Sequence, residues 1–186
     1  MKILRSAIAP LALLLAGCAS GQKYHEKAMD FAAVKTVAVM PFVNLSRDNL
    51  AGDRVRDVFS TMLLSSGAVY VLPSGEVSRG IARGSVVTPA TPSRDEVVAL
   101  GKLLSVEAVI TGVVKEYGEV RSGSSTANAI ALSVQMLETT TGKVVWAATT
   151  TKGGITFGDR LLGGGGEPMN RVTEDAVHDL LQKLFR

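Results

Sequence analysis

Apolar and polar positions recur along this chain in two different periods, and the switches between them mark out the elements of a fold. Val34 to Phe42 is an unbroken β-branched and apolar run, and Pro41 predicts its end as a strand. A polar loop follows from Asn44 to Asn49. Ala51, Val55, Val58, Phe59, Met62 and Leu63 then recur at helical spacing, which predicts an amphipathic helix stopped near Gly67. Ala68 to Leu72 reads as a second strand closed by Pro73, Ser74 to Arg83 as a short helix, and 84–92, with two prolines, as a surface loop. Ser93 and Glu96 have the spacing of a capping box, and they open a helix with Val97, Leu100, Gly101 and Leu104 on one face. Val106 to Tyr117 predicts a strand. Ala127 to Leu137 alternates Ile130, Leu132, Val134 and Met136 against Ala129, Ala131, Ser133 and Gln135, so it predicts another. The turn at 139–143 leads into a strand over Val144 to Thr151. Met169, Val172, Ala176, Leu180 and Leu184 predict a closing helix. The order β-α-β-α-α-β-β-β-α implies an α+β fold, one mixed sheet with helices packed on it in a single layer sandwich.

The N-terminus follows other rules. Lys2 and Arg5 precede an apolar run from Ala7 to Ala16, then comes Leu15-Ala16-Gly17-Cys18. A positive end, a short apolar stretch and small residues at the cut make residues 1–17 a signal peptide. The apolar run falls short of the roughly 20 residues that a spanning helix needs. Leu-Ala-Gly-Cys resembles the lipobox of bacterial lipoproteins. The resemblance implies cleavage before Cys18, a diacylglyceryl thioether on its sulfur and acylation of the new amine. Neither Ala19 nor Ser20 is the aspartate that resembles an inner-membrane retention signal in enteric bacteria. The outer membrane, facing the periplasm, is therefore the implied address. Residues 18–33 read as the lipidated cysteine and a polar tether of about 50 Å when extended, and 34–186 as the folded domain.

Cleavage changes the charge picture. Lys2 and Arg5 are two of the 20 Lys and Arg residues and no acid is lost with them, so 18 basic residues face 17 acidic ones. The basicity is mostly a targeting feature and gives no argument for nucleic acid. Cys18 is the only cysteine. Once acylated it leaves no thiol for catalysis, metal binding or a disulfide, and the fold must hold by its apolar core.

Residues 106–118 (VEAVITGVVKEYG), 129–147 (AIALSVQMLETTTGKVVWA) and 37–44 (VAVMPFVN), with Glu167-Pro168-Met169 before the last helix, resemble the curli-secretion (CsgG) group of lipoproteins. The resemblance implies the fold for most of 34–185. Pore-forming members of that group insert two long hairpins per subunit, and each membrane strand needs about 9–11 alternating residues. The matching places here are 118–126, which is too short, and 152–168, which Gly163 to Gly166 interrupt. The pattern is closer to the pore-less, LpoB-like branch, lipoproteins that bind other envelope components.

Catalytic chemistry is sparse. His178 has Glu174 and Asp175 one turn before it, a spacing that suits either a metal ligand or, more commonly, a solvated helix face. The tetraglycine lacks the Lys-Ser/Thr of a phosphate loop, and no G-x-S-x-G occurs. No cofactor or metal is expected. Trp146, the sole tryptophan, is either core or a partner anchor. Leu161 and Leu162 give the polar loop 152–168 an apolar tip, a second candidate contact for a partner or a neighbouring subunit. The reading is a non-enzymatic interaction module in envelope assembly or secretion. Its alternatives are a curli-type pore subunit, a peptidoglycan-synthase activator and, remotely, an enzyme acting on cell wall or lipid. The tether is short for an activator that must cross the peptidoglycan.

Overall fold

The computed structural model describes residues 22–122, 125–154 and 166–186. In chain order these form β1 (Lys23–His25), a 3-10 turn (Phe31–Ala33), β2 (Thr36–Val39), β3 (Val43–Asn44), α1 (Ala51–Ser65), β4 (Tyr70–Val71), α2 (Ser74–Arg83), α3 (Arg94–Leu104), β5 (Ala108–Ser122), β6 (Ser125–Glu138), β7 (Val144–Gly153) and α4 (Met169–Leu184). The strands make one mixed sheet in the order β1-β7-β6-β5-β2-β4, with β3 also on β5. β2 pairs in parallel with β4 and β5, and β3 in parallel with β5. The other neighbours, β5 with β6, β6 with β7 and β7 with β1, are antiparallel.

Alternation along the strands sends side chains to two cores. On one face α1 contributes Val55, Phe59 and Leu63, and α4 contributes Val172, Val177 and Leu180. They close over Val37, Val39, Ile110, Ile130, Leu132 and Trp146. Each large side chain so removed from water contributes about 1.5–3 kcal/mol before its entropy is counted. On the other face α2 and α3 bring Val77, Val97 and Leu100 onto Ala38, Met40, Val109 and Leu137. The α+β class and the mixed sheet with helices packed on it agree with the sequence reading, and the helices lie on both faces of the sheet.

The order of elements differs in three places. The run 34–42 divides into β2 and β3 because Pro41 has no N–H to donate, although Met40 still donates to the Ile110 carbonyl at 2.9 Å. The strand expected over Val106 to Tyr117 continues to Ser122, and the one expected from Ala127 begins at Ser125. Gly118, at φ +128°, carries the chain past the end of the apolar pattern. Of the last four rungs, Glu119↔Asn128 to Ser122↔Ser125, only Val120↔Ala127 is apolar. Finally, the tether does not run to residue 33. Lys23–His25 is an edge strand on β7, with Lys23 opposite Ala148 and His25 opposite Trp146. Residues 1–17, Cys18 and the rest of the leader to Gly21 lie outside the described residues.

Candidate interaction surfaces

In Lys23-Tyr24-His25 only Tyr24 favours a strand, so β1 needs outside support. The C-terminal turn of α4 supplies it. The Lys183 carbonyl, one of the four that a helix end leaves without an intrahelical donor, accepts from His25 Nε2 at 2.8 Å and from Trp146 Nε1 at 3.3 Å. The His25 ring packs on Phe31 with centroids 5.2 Å apart. The Lys183 ammonium, 16% exposed, bonds Asp179 at 2.6 Å, and it also donates to the Thr149 carbonyl at 2.9 Å. Lys152 approaches the same carboxylate at 3.4 Å. Burial pulls the Asp179 carboxyl upward, but hydrogen bonds from Lys183 and Thr150 and the charges of Lys183 and Lys152 outweigh it, leaving the group below its ordinary range. One residue thereby ties helix, edge strand and neighbouring strand together.

The second face is covered only in part. Beyond α2 and α3 the sheet is open, and a groove of about 530 Å³ lies there, lined by Tyr24, Thr111, Val113, Ser133, Ala147 and Thr149 among others. Its walls are small and uncharged save for Lys23 at the rim. A smaller, apolar groove of about 450 Å³ runs between the C-terminal ends of α1 and α4, beside Met62, Leu181 and the half-exposed Phe185. Neither groove brings a nucleophile to a base. Along the β4 edge, the Arg56 guanidinium donates two hydrogen bonds to the Val39 carbonyl, at 3.1 and 2.8 Å. Burial lowers its pKa, against the opposing pull of Asp53 and Asp57.

Of the residues singled out in the sequence, Trp146 is fully buried in the α1/α4 core. It is a core side chain and offers no contact to a partner. Its indole suits that place because the helix end provides the acceptor for its N–H. Leu161, Leu162 and Cys18 lie outside the described residues. His178 is exposed and faces the Gln182 amide at 2.8 Å, while Glu174 and Asp175 pair with Arg171 at 4.0 and 3.7 Å. Among the described residues no group of three or more His, Cys, Asp or Glu could hold a metal ion, and no helix is long and apolar enough to cross a membrane. His25 and Lys183 were not legible as a pair, being 158 residues apart. Only the Asp179–Lys183 half of the cluster, at i and i+4, has a sequence signature.

What the described residues present is therefore surface: an open sheet face, an apolar groove and two sheet edges on an α+β domain. The chain belongs to the family of the peptidoglycan-synthase activator LpoB, whose model matches residues 18–151. The family is described as one of activators of peptidoglycan synthases. No curated protein matches the sequence. Solved structures share the fold. PelC from Paraburkholderia phytofirmans, a dodecamer solved as its L103M variant, is 16% identical and superposes with a TM-score of 0.60 over 89% of this chain and 96% of its own. Lipoprotein GNA1162 from Neisseria meningitidis is 17% identical, with a TM-score of 0.56 over 81% of this chain and 95% of its own. The C-terminal domain of LpoB from Salmonella enterica is 13% identical, with a TM-score of 0.50 over 68% of this chain and 86% of its own.

Proposed function

We propose that this protein is a lipid-anchored module of the outer membrane that faces the periplasm and stimulates a peptidoglycan synthase by binding it. The observation that carries this reading is the family match, which begins at Cys18 and runs to Thr151. The lipobox-like Leu15-Ala16-Gly17-Cys18 supports the anchor. Leu161 and Leu162 stay in this reading as a proposed apolar contact. Because β1 starts at Lys23, the synthase must itself reach the outer membrane, or the module must meet its periplasmic part there. The test is copurification: the acylated full chain, tagged at its C-terminus and crosslinked in envelopes, should recover a synthase. Recovery of other envelope proteins in its place would refute the choice of partner and leave only the interaction module.

A second reading is a subunit of a homo-oligomer of the kind PelC forms. Two observations favour it: the likeness to PelC extends over 89% of the chain, and an apolar groove at Met62, Leu181 and Phe185 stands uncovered. It predicts a particle of many copies when the mass of the detergent-solubilised full chain is measured by light scattering. A monomer at micromolar concentration would dismiss it.

A further inference from the structure

The domain is tied to its anchor by a leash so short that its posture on the membrane follows. The inference rests on acylation of Cys18 as proposed above. The chain is fixed from Gln22 onward, where its carbonyl accepts the Thr149 N–H at 3.0 Å. Only four peptide links join Cys18 to Gln22, and fully extended they reach about 14 Å. That distance is small beside the domain. Gly153, four residues beyond Thr149 on β7, pairs with Ala129 of β6, and the β5–β6 hairpin stands four rungs further still. At about 3.3 Å per residue its end lies about 26 Å from the level of Gln22. An upright sheet with that hairpin toward the bilayer would bury its last rungs in the membrane, with Glu119 and Arg121 among them. Both side chains are exposed, at 59% and 79%, and ionised groups are costly in hydrocarbon. Turning the sheet over is no better. The opposite end of β7, at Val144, lies five residues from Thr149, about 17 Å away, and the leash would have to double back to span it. The far edge, β4, is five strands from β1, or about 24 Å.

We infer that the domain lies with its β1 edge against the lipid headgroups, with Lys23, Tyr24 and Lys27 at the contact. Lys23 and Lys27 are exposed cations suited to anionic headgroups. Tyr24 is 47% exposed with its hydroxyl donating to Glu26 at 2.7 Å, an aromatic with one polar end of the kind favoured at membrane–water boundaries. The posture covers the outer backbone of an edge strand that would otherwise invite pairing with another chain. It leaves the β4 edge, at the far side of the sheet, facing the periplasm, and partners approach there.

The test uses the full acylated chain in vesicles of phosphatidylethanolamine and phosphatidylglycerol. Acylated Cys18 leaves no free thiol, so one introduced cysteine at a time carries a fluorophore: Tyr24→Cys or Lys27→Cys at the edge, and Tyr70→Cys on β4 or Leu103→Cys on α3 as references. An aqueous quencher should reach the edge labels several-fold less well than the references. A flexible Gly/Ser spacer of about 20 residues after Ser20, with a span of about 25 Å, should bring them to the same level. Flotation of the protein with the vesicles reports the anchor, and quenching reports the posture. Protein that fails to float removes the anchored reading and this inference with it. Protein that floats with its edge labels as accessible as Tyr70→Cys, or shielded even with the spacer, overturns the posture alone.

Discussion

Replacing His25 with Ala should loosen β1 and little else. His25 supplies one hydrogen bond to the Lys183 carbonyl and one ring contact with Phe31. The first is a net contribution of about 1 kcal/mol and the second about 0.5–1.5 kcal/mol. The abandoned carbonyl keeps Trp146 Nε1 as a donor, so no buried acceptor is left bare. The loss is then about 2 kcal/mol, and since 1.36 kcal/mol is tenfold in an equilibrium constant, opening of β1 should rise by about 30-fold. Two amides report it by hydrogen exchange, Thr149 N–H on the Gln22 carbonyl and Glu26 N–H on the Val145 carbonyl. Both should exchange faster by that factor, while amides of α4 near Leu180 keep their rates. The change matters beyond stability because freeing β1 lengthens the leash from about 14 Å to about 50 Å. Unchanged exchange at Thr149 and Glu26 would show that backbone pairing alone holds β1. Equal acceleration in α4 would show that β1 is part of the global unfolding unit. Either result refutes the reasoning.

Gly101→Ala should destabilise the domain by about 1–2 kcal/mol in denaturant unfolding. The new methyl would collide with Cβ of Thr139, whose hydroxyl is held on the Val106 and Glu107 carbonyls at 2.7 and 2.9 Å, and overpacking of about 1–3 kcal/mol outweighs the helix propensity gained. Asp179→Asn should cost about 1–2 kcal/mol at neutral pH through the charged bond to Lys183. The folded carboxyl lies below its ordinary pKa, so its contribution is present above the unfolded value and disappears as pH falls through the folded one. The gap between the two proteins' thermal midpoints should therefore narrow progressively as pH falls below about 3.9, and a gap that stays constant or widens there would contradict the sign. Cys18→Ala should abolish palmitate labelling and release the protein from the membrane fraction. Labelling that survives would place the acyl chain elsewhere.

Legibility followed the physics of each element. The α1 stripe Ala51, Val55, Phe59 and Leu63 and the alternation along β6 declare themselves because a buried face imposes a period on the residues that fill it. The Ser93–Glu96 capping box is equally local: the Ser hydroxyl accepts from the Glu96 amide at 3.3 Å, and the carboxylate accepts from the Ser93 amide at 2.7 Å. Local bonds leave local signatures. β1 had none, because it buries no apolar face of its own and is held by backbone bonds to β7 and by the end of a helix that the chain reaches 158 residues later. The mostly polar rungs beyond Tyr117 were equally silent, since a single apolar pair, Val120 with Ala127, is too little to impose a pattern. That α2 and α3 pack opposite α1 and α4 depends on which way each connection turns, and amphipathic stripes do not record that. Trp146 was ambiguous for a related reason, as composition does not reveal whether an acceptor waits for a buried indole.

The central claim is that an anchored, non-catalytic module stimulates a peptidoglycan synthase by contact. The direct measurement is the rate of glycan-chain polymerisation by the purified synthase in vesicles, with and without the acylated full chain in the same membrane. The account predicts a several-fold rise in rate that saturates at a fixed ratio of the two proteins and does not occur with the module alone. Polymerisation that stays at its basal rate across the titration, or glycan chemistry by the module in the synthase's absence, would contradict it.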